Sequence, residues 1–127
     1  MIINSLTNHY DSTDGLDLNL VLRERIEGVN SFWLSHAGNK YPTLLIMTKD
    51  DVASLHFFPK DRDPGLRSVG HVEGLDAGGT SVFYVNSPNE PQEIINDSIV
   101  PLSVAIAVAK QFERSAKLPD GVEWFAL

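Results

Sequence analysis

Residues 31–58 read SFWLSHAGNKYPTLLIMTKDDVASLHFF, and the hydrophobic period of this stretch decides the fold. Residues 31–37 are rich in aromatic and aliphatic side chains and read as a strand. Gly38-Asn39-Lys40 is turn chemistry, residues 42–48 read as a second strand, and Lys49-Asp50-Asp51 is a short polar turn. Residues 52–58 form a third strand with period two. Ala53, Leu55 and Phe57 fall on one uniformly apolar face, and Val52, Ser54, His56 and Phe58 on the other. Connections this short cannot cross over a sheet, so the three strands form an antiparallel meander.

Downstream, residues 59–64 are a charged loop holding Lys60, Asp61, Arg62 and Asp63. Residues 66–71 read as a fourth strand and 72–79 as a loop with three glycines and two acids. Residues 80–86 make a strong strand, Ser87-Pro88-Asn89 a turn, and residues 92–95 a weak strand. Pro101 suits the first turn of a helix that runs to about Ala116. Its apolar stripe is Leu102, Ala105, Ile106, Ala109, Phe112 and Ala116. Lys110, Arg114 and Lys117 complement the dipole at its C-terminal end. Residues 122–124 are a last short extended segment. Upstream, residues 1–6 read as a strand and 7–14 as a polar connection. Asp14 or Thr13 then caps a helix to about Glu27, where Gly28 stops it. Leu16, Leu20, Leu22 and Ile26 recur along that helix, and Leu18 and Val21 widen the stripe. The sum is a single α+β domain over residues 1–127. It is an antiparallel sheet of about five to six strands, flanked by an N-terminal and a C-terminal helix.

The chain has 127 residues, 17 Asp and Glu against 10 Lys and Arg, a formal charge of −7, and no cysteine. That length buries enough surface for a core without staples. The missing cysteines exclude a disulfide framework, a thiolate zinc site and a cysteine nucleophile. The acidic balance argues against nucleic acid as a direct ligand, because such binders need a basic face. No apolar run is long enough to span a membrane. The first residues lack the charged and apolar regions of a signal peptide, so the expected location is cytoplasmic.

A search for chemistry returns little. His9, His36, His56 and His71 offer no i, i+3 or i, i+4 pair. His36, His56 and His71 could meet across strands and serve a small metal-dependent hydrolase, but unrelated histidines on a half-exposed sheet are the favoured reading. The pairs Asp50/Asp51 and Asp61/Asp63 sit in turns, where aspartate is favoured for local hydrogen bonds. There is no nucleophile elbow, phosphate loop or dinucleotide fingerprint. No catalytic residue, metal ligand or cofactor is assigned, and a ligand-binding α+β domain is the other alternative. Adjacent aromatics at 32/33, 57/58, 83/84 and 124/125 put rings on both faces of extended segments. One face is core. The expected cover for the second is the C-terminal helix, and the alternative is a partner site. Trp33 and Trp124 are assigned to core packing.

From Phe32 to Trp124 the chain resembles the immunity proteins of bacterial polymorphic toxin systems, specifically the first catalogued, deaminase-associated immunity family. The resemblance rests on order and spacing. Pro42-Thr43-Leu44-Leu45-Ile46 leads through a charged turn to the aromatic strand Val52–Phe58. Arg67-Ser68-Val69-Gly70 leads to Gly78-Gly79-Thr80 and Val82-Phe83-Tyr84. Val100-Pro101 opens a helix with Ala109-Lys110-Gln111-Phe112, and Leu118-Pro119 and Val122-Glu123-Trp124 follow. The resemblance implies a cytoplasmic protein of interbacterial competition without catalysis of its own. It would neutralise a cognate toxin domain, a cytidine-deaminase-like protein with a basic groove, in a 1:1 heterodimer. An acidic inhibitor is attracted to such a groove. The expected contact residues are Asp61 and Asp63 in the first loop and Glu73 and Asp76 in the second, with Arg62, His71 and Tyr84 as anchors. Both loops flank the strand at 66–71 and are expected to share one edge of the sheet.

Overall fold

Six consecutive apolar or threonine positions, 43–48, out of register with any helical period, make the central strand of the meander, and they are buried on both faces. The computed structural model describes residues 1–127, apart from the side chain of Asp14. β3 (Val29–Ser35), β4 (Thr43–Lys49) and β5 (Val52–Phe58) pair antiparallel in the expected meander, with Trp33 opposite Leu45 and Leu45 opposite His56. β1 (Ile2–Ser5) and β2 (His9–Asp11) extend the sheet beyond β3. Beyond β5 lie β6 (Leu66–Val69) and β10 (Glu123–Ala126), giving the order β10-β6-β5-β4-β3-β1-β2. β9 (Ile99–Pro101) also pairs with β5, and β7 (Thr80–Tyr84) and β8 (Pro91–Ile95) form a separate two-stranded sheet. The main sheet therefore has eight strands, more than the five to six expected. The additional strands are segments of three or four residues, too short to show a period of two.

β6 and β9 share one edge of β5. β9 takes residues 52–54, and β6 takes His56 and Phe57. The Leu55 amide falls at the junction and donates instead to Ser68 Oγ at 3.0 Å. Ser68 Oγ donates in turn to the Ser98 carbonyl at 2.6 Å, and the hydroxyls of Ser54 and Ser98 lie 2.7 Å apart. All three serines are buried. This hydroxyl cluster supplies the pairing that the ladder lacks where one strand hands over to the next.

On the first face, α2 (Leu102–Arg114) lays Ala105, Val108, Ala109 and Phe112 against Phe32, Leu34, Leu44, Ile46, Leu55 and Phe57. Phe112 meets Phe57 edge-on at 6.2 Å, and His36 Nε2 donates to the Phe112 carbonyl at 2.7 Å. Complete burial of such a ring stabilises the fold by about 2–3 kcal/mol. The helix ends at Arg114, so Ala116 is exposed and outside the expected stripe.

The expected N-terminal helix to Glu27 does not form. Asp11 caps a 3-10 turn at Ser12–Asp14, and Asp17 caps α1 (Leu18–Val21), a single helical turn. The expected cap at Asp14 concerns a side chain outside the described residues. Leu18, Val21 and Leu22 reach the core, whereas Leu20 is 68% exposed. Two constraints stop the helix early. β3 begins at Val29, and Ile26 and Val29 already bridge across a turn in which Gly28 has φ 86°. In addition, the Arg25 guanidinium donates to the carbonyls of Leu22, Glu24 and Asp50, satisfying groups that a further helical turn would have used.

The second face carries Leu45, Met47 and Ile99, and its cover is the β7–β8 hairpin with the loop before it, through the fully buried Phe83. The expected helical cover is thus replaced by a hairpin. α2 is wholly used by the first face.

Candidate partner-binding surface

The two acidic loops occupy opposite ends of β6. The β5–β6 loop enters at Leu66, and the second loop leaves after Val69. They do not share one edge of the sheet, and the free edge next to β6 belongs to β10. In the first loop Asp61 and Arg62 are exposed, and Arg62 has φ 63°. Asp63 is half-buried, because its carboxylate accepts the Gly65 amide at 2.7 Å and so shapes the turn. In the second loop His71, Glu73 and Asp76 are exposed. The Asp76 carbonyl accepts from Asn96 Nδ2 at 2.8 Å, which ties this loop to the base of the hairpin. Glu73 lines a shallow hollow with Asp50, Asp51 and Ser81. Tyr84 ends β7 and is half-buried; it stands on the side of the hairpin opposite the inward Phe83. The seven expected contact residues thus divide into a group at 61–63, a group at 71–76, and Tyr84 at the far end of the hairpin.

The three histidines do not converge. His36 packs on Phe112 on the helix side of the sheet, with ring centroids 5.0 Å apart. His56 stands on the opposite side, stacked on Phe58 at 4.0 Å and 11°, and its Nε2 donates to the Pro64 carbonyl at 2.8 Å. Among the described residues, no group of three His, Cys, Asp or Glu is placed to hold a metal ion. The groups with shifted protonation lie in the N-terminal segment. A hydrogen bond to Glu24 raises the Tyr10 hydroxyl, and the Thr13 amide holds the Asp11 carboxyl below its usual range. Burial lowers Arg25.

Sequence reasoning missed a row of side chains running across the second face. Direct cross-strand pairing aligns Asn4, Trp33, Leu45, His56, Arg67 and Phe125 on successive strands β1, β3, β4, β5, β6 and β10. The hairpin covers only part of this face. Trp33 stacks toward Phe58 with centroids 6.0 Å apart, and its Nε1 donates to Asn86 Oδ1 at 3.1 Å under the hairpin tip. The Arg67 guanidinium lies 4.7 Å from the Phe125 ring centroid. To one side of the hairpin is a cavity of about 400 Å³, lined by Asn4, Trp33, Ser35, Lys40, Tyr41 and Thr43. To the other is a groove of about 320 Å³ that includes His56, Arg67, Ile94, Ile95 and Leu127. The signal was present in the adjacent aromatic pairs, but choosing which ring stays uncovered needs the register.

No helix among the described residues is long and apolar enough to cross a membrane. No family model matches the chain. The chain is similar to a curated protein described as a double-stranded DNA deaminase immunity protein, from Burkholderia cenocepacia (strain H111). The two are 27% identical over 117 residues, covering 92% of this chain and 90% of that protein. The resemblance to deaminase-associated immunity proteins therefore holds, and it extends beyond the last three-quarters of the chain.

Proposed function

We propose that this chain is an immunity protein that binds a cognate deaminase toxin acting on nucleic acid and blocks its substrate groove. The carrying observation is similarity to a deaminase immunity protein over nearly the full length of both chains. Charge supports it. A protein that handles nucleic acid presents a basic groove, and an inhibitor of charge −7 is drawn to it and associates faster. The chain acts by occupancy, without catalysis of its own, as a single domain in a 1:1 complex in the cytoplasm. Asp61 and Asp63 at one end of β6, and Glu73 and Asp76 at the other, present charge to two separate parts of the toxin. Arg62, His71 and Tyr84 add contacts beside them.

The test is co-expression with the cognate deaminase toxin domain. Cells survive and the two proteins co-purify if the reading is right; continued killing with the chain present in soluble form refutes it. Reversing all four acids together slows association in low salt, and the difference shrinks as salt shortens the Debye length from about 10 Å at 0.1 M to about 3 Å at 1 M. An unchanged association rate removes the two loops from the interface.

A further inference from the structure

We propose that the uncovered part of the second sheet face, centred on Trp33, His56, Phe58, Arg67 and Phe125, is the surface on which the deaminase domain docks. The proposal rests on the immunity reading and adds the place of contact. It also moves Trp33 from pure core packing to a shared role, since its ring is only half-buried.

Three observations carry it. The first is composition. Trp, Phe and Arg dominate the energetics of protein interfaces, and here they stand in one cross-strand row that contains no acid. Phe125 and Leu127, each 53% exposed, extend the row with apolar surface at its β10 end. The second is preorganisation. His56 and Phe58 are stacked, Arg67 is held over Phe125, and the Arg67 guanidinium also donates to the Ser68 carbonyl at 3.1 Å. Side chains already held on a rigid sheet lose little freedom on binding. The third is size. The row from Trp33 on β3 to Phe125 on β10 crosses five strands about 4.8 Å apart, about 19 Å, which is enough for the aromatic and Arg centre of an interface whose rim extends beyond it.

Charge selects the occupant. The chain as a whole carries −7, while the rim of this face balances Asp61, Asp63 and Glu93 with Lys60, Arg62 and Arg67. A second copy brings the same net charge to the contact, and like net charges oppose association. Nucleic acid is repelled by the same net charge. A protein whose contact surface is apolar at the centre and basic around a nucleic-acid groove satisfies both parts of the face.

The test uses the full chain and the cognate deaminase toxin domain. Phe125→Ala removes an exposed ring, and Ser35→Arg places a long cation on the face without emptying the core. Each variant is expected to keep the wild-type melting temperature within a few degrees, to bind at least tenfold more weakly, and to lose protection. Ala107→Arg, on the exposed side of α2, binds and protects as the wild type does. If wild type binds while both face variants retain its affinity, the face is wrong and the immunity reading survives. If wild type neither binds nor protects, the immunity reading itself fails. A wild-type dimer that Ser35→Arg converts to monomer assigns the face to a second copy and overturns the proposal. Hydrogen exchange of the unmutated chain gives an independent reading: the toxin domain should protect β10, and protection confined to α2 overturns the assignment.

Discussion

Replacing Ser68 with alanine removes one hydroxyl and strands two buried backbone groups. The Leu55 amide loses its acceptor at 3.0 Å, and the Ser98 carbonyl loses its donor at 2.6 Å. Ser68 has no measurable exposure, so water cannot replace the hydroxyl without opening the sheet. An orphaned buried polar group costs about 1–3 kcal/mol, so the pair costs about 2–6 kcal/mol. Total stability for a domain of this size is about 5–15 kcal/mol, so the loss is a large share of it. Urea unfolding followed by fluorescence reads it directly. With a slope of about 1–3 kcal/mol per molar, the midpoint should fall by at least about 0.7 M at unchanged slope. Ser54→Ala is the internal comparison. It removes only a bond between two hydroxyls, the Ser98 carbonyl keeps its Ser68 donor and the Ser98 hydroxyl keeps a contact to Ser68 Oγ at 3.5 Å, so its cost is about 1 kcal/mol. Equal midpoints for the two variants, or a loss below about 0.5 kcal/mol for Ser68→Ala, refute the argument that this hydroxyl completes the ladder between β6 and β9.

Phe112→Ala empties the contact among α2, β5 and His36, and should cost about 3–5 kcal/mol by denaturant titration. Leu22→Ala should cost about 2–5 kcal/mol while Leu20→Ala stays within about 0.5 kcal/mol, since the first side chain is fully buried and the second is exposed. Similar losses at both positions would mean that the N-terminal segment is packed as a longer helix. Asp11 accepts from the Thr13 amide and hydroxyl, which lowers its folded pKa. The stabilisation is present above the ordinary aspartate pKa and disappears as pH falls through the lowered folded value. Asp11→Asn lacks that increment, so its melting temperature should fall less than that of the wild type between pH 5 and pH 2.

The meander was legible because Ala53, Leu55 and Phe57 alternate strictly with Ser54 and His56, and because the turns at Gly38-Asn39 and Asp50-Asp51 are unambiguous. The C-terminal helix was legible from its stripe, which included Ala116 beyond the last helical turn and omitted the fully buried Val108. The N-terminal helix misled because Leu16, Leu20 and Ile26 keep helical spacing. In the folded chain, Arg25 caps carbonyls from the side and the turn at Gly28 reverses the chain first. β9 carried no local signal, and β10 showed only as an extended segment at 122–124, since three or four residues acquire a strand conformation from the edge they meet. The same limit applied to the candidate surface. Loop acids are visible as charges in a string, but whether Asp61 and Glu73 lie side by side depends on the length and direction of β6. The row from Trp33 to Phe125 joins residues far apart in sequence, so only the register reveals it.

The junction at β5 has a consequence for how such chains diverge. The polypeptide leaves the sheet at Gly70 and returns at Ile99, and these two points touch: the Gly70 amide donates to the Asp97 carbonyl at 2.8 Å, and a Cβ on Gly70 would lie 2.4 Å from the Ile99 carbonyl oxygen. Residues 71–98 are therefore an excursion with closed ends. A change of length at the hairpin turn, residues 87–90, leaves the β4–β5 register untouched, because Phe83 and Ser98 fasten the rest of the excursion to the core, whereas a single added carbon at Gly70 pries its ends apart. The hairpin turn is a cassette: it can be exchanged to alter what the neighbouring face recognises while the framework that carries it is inherited whole.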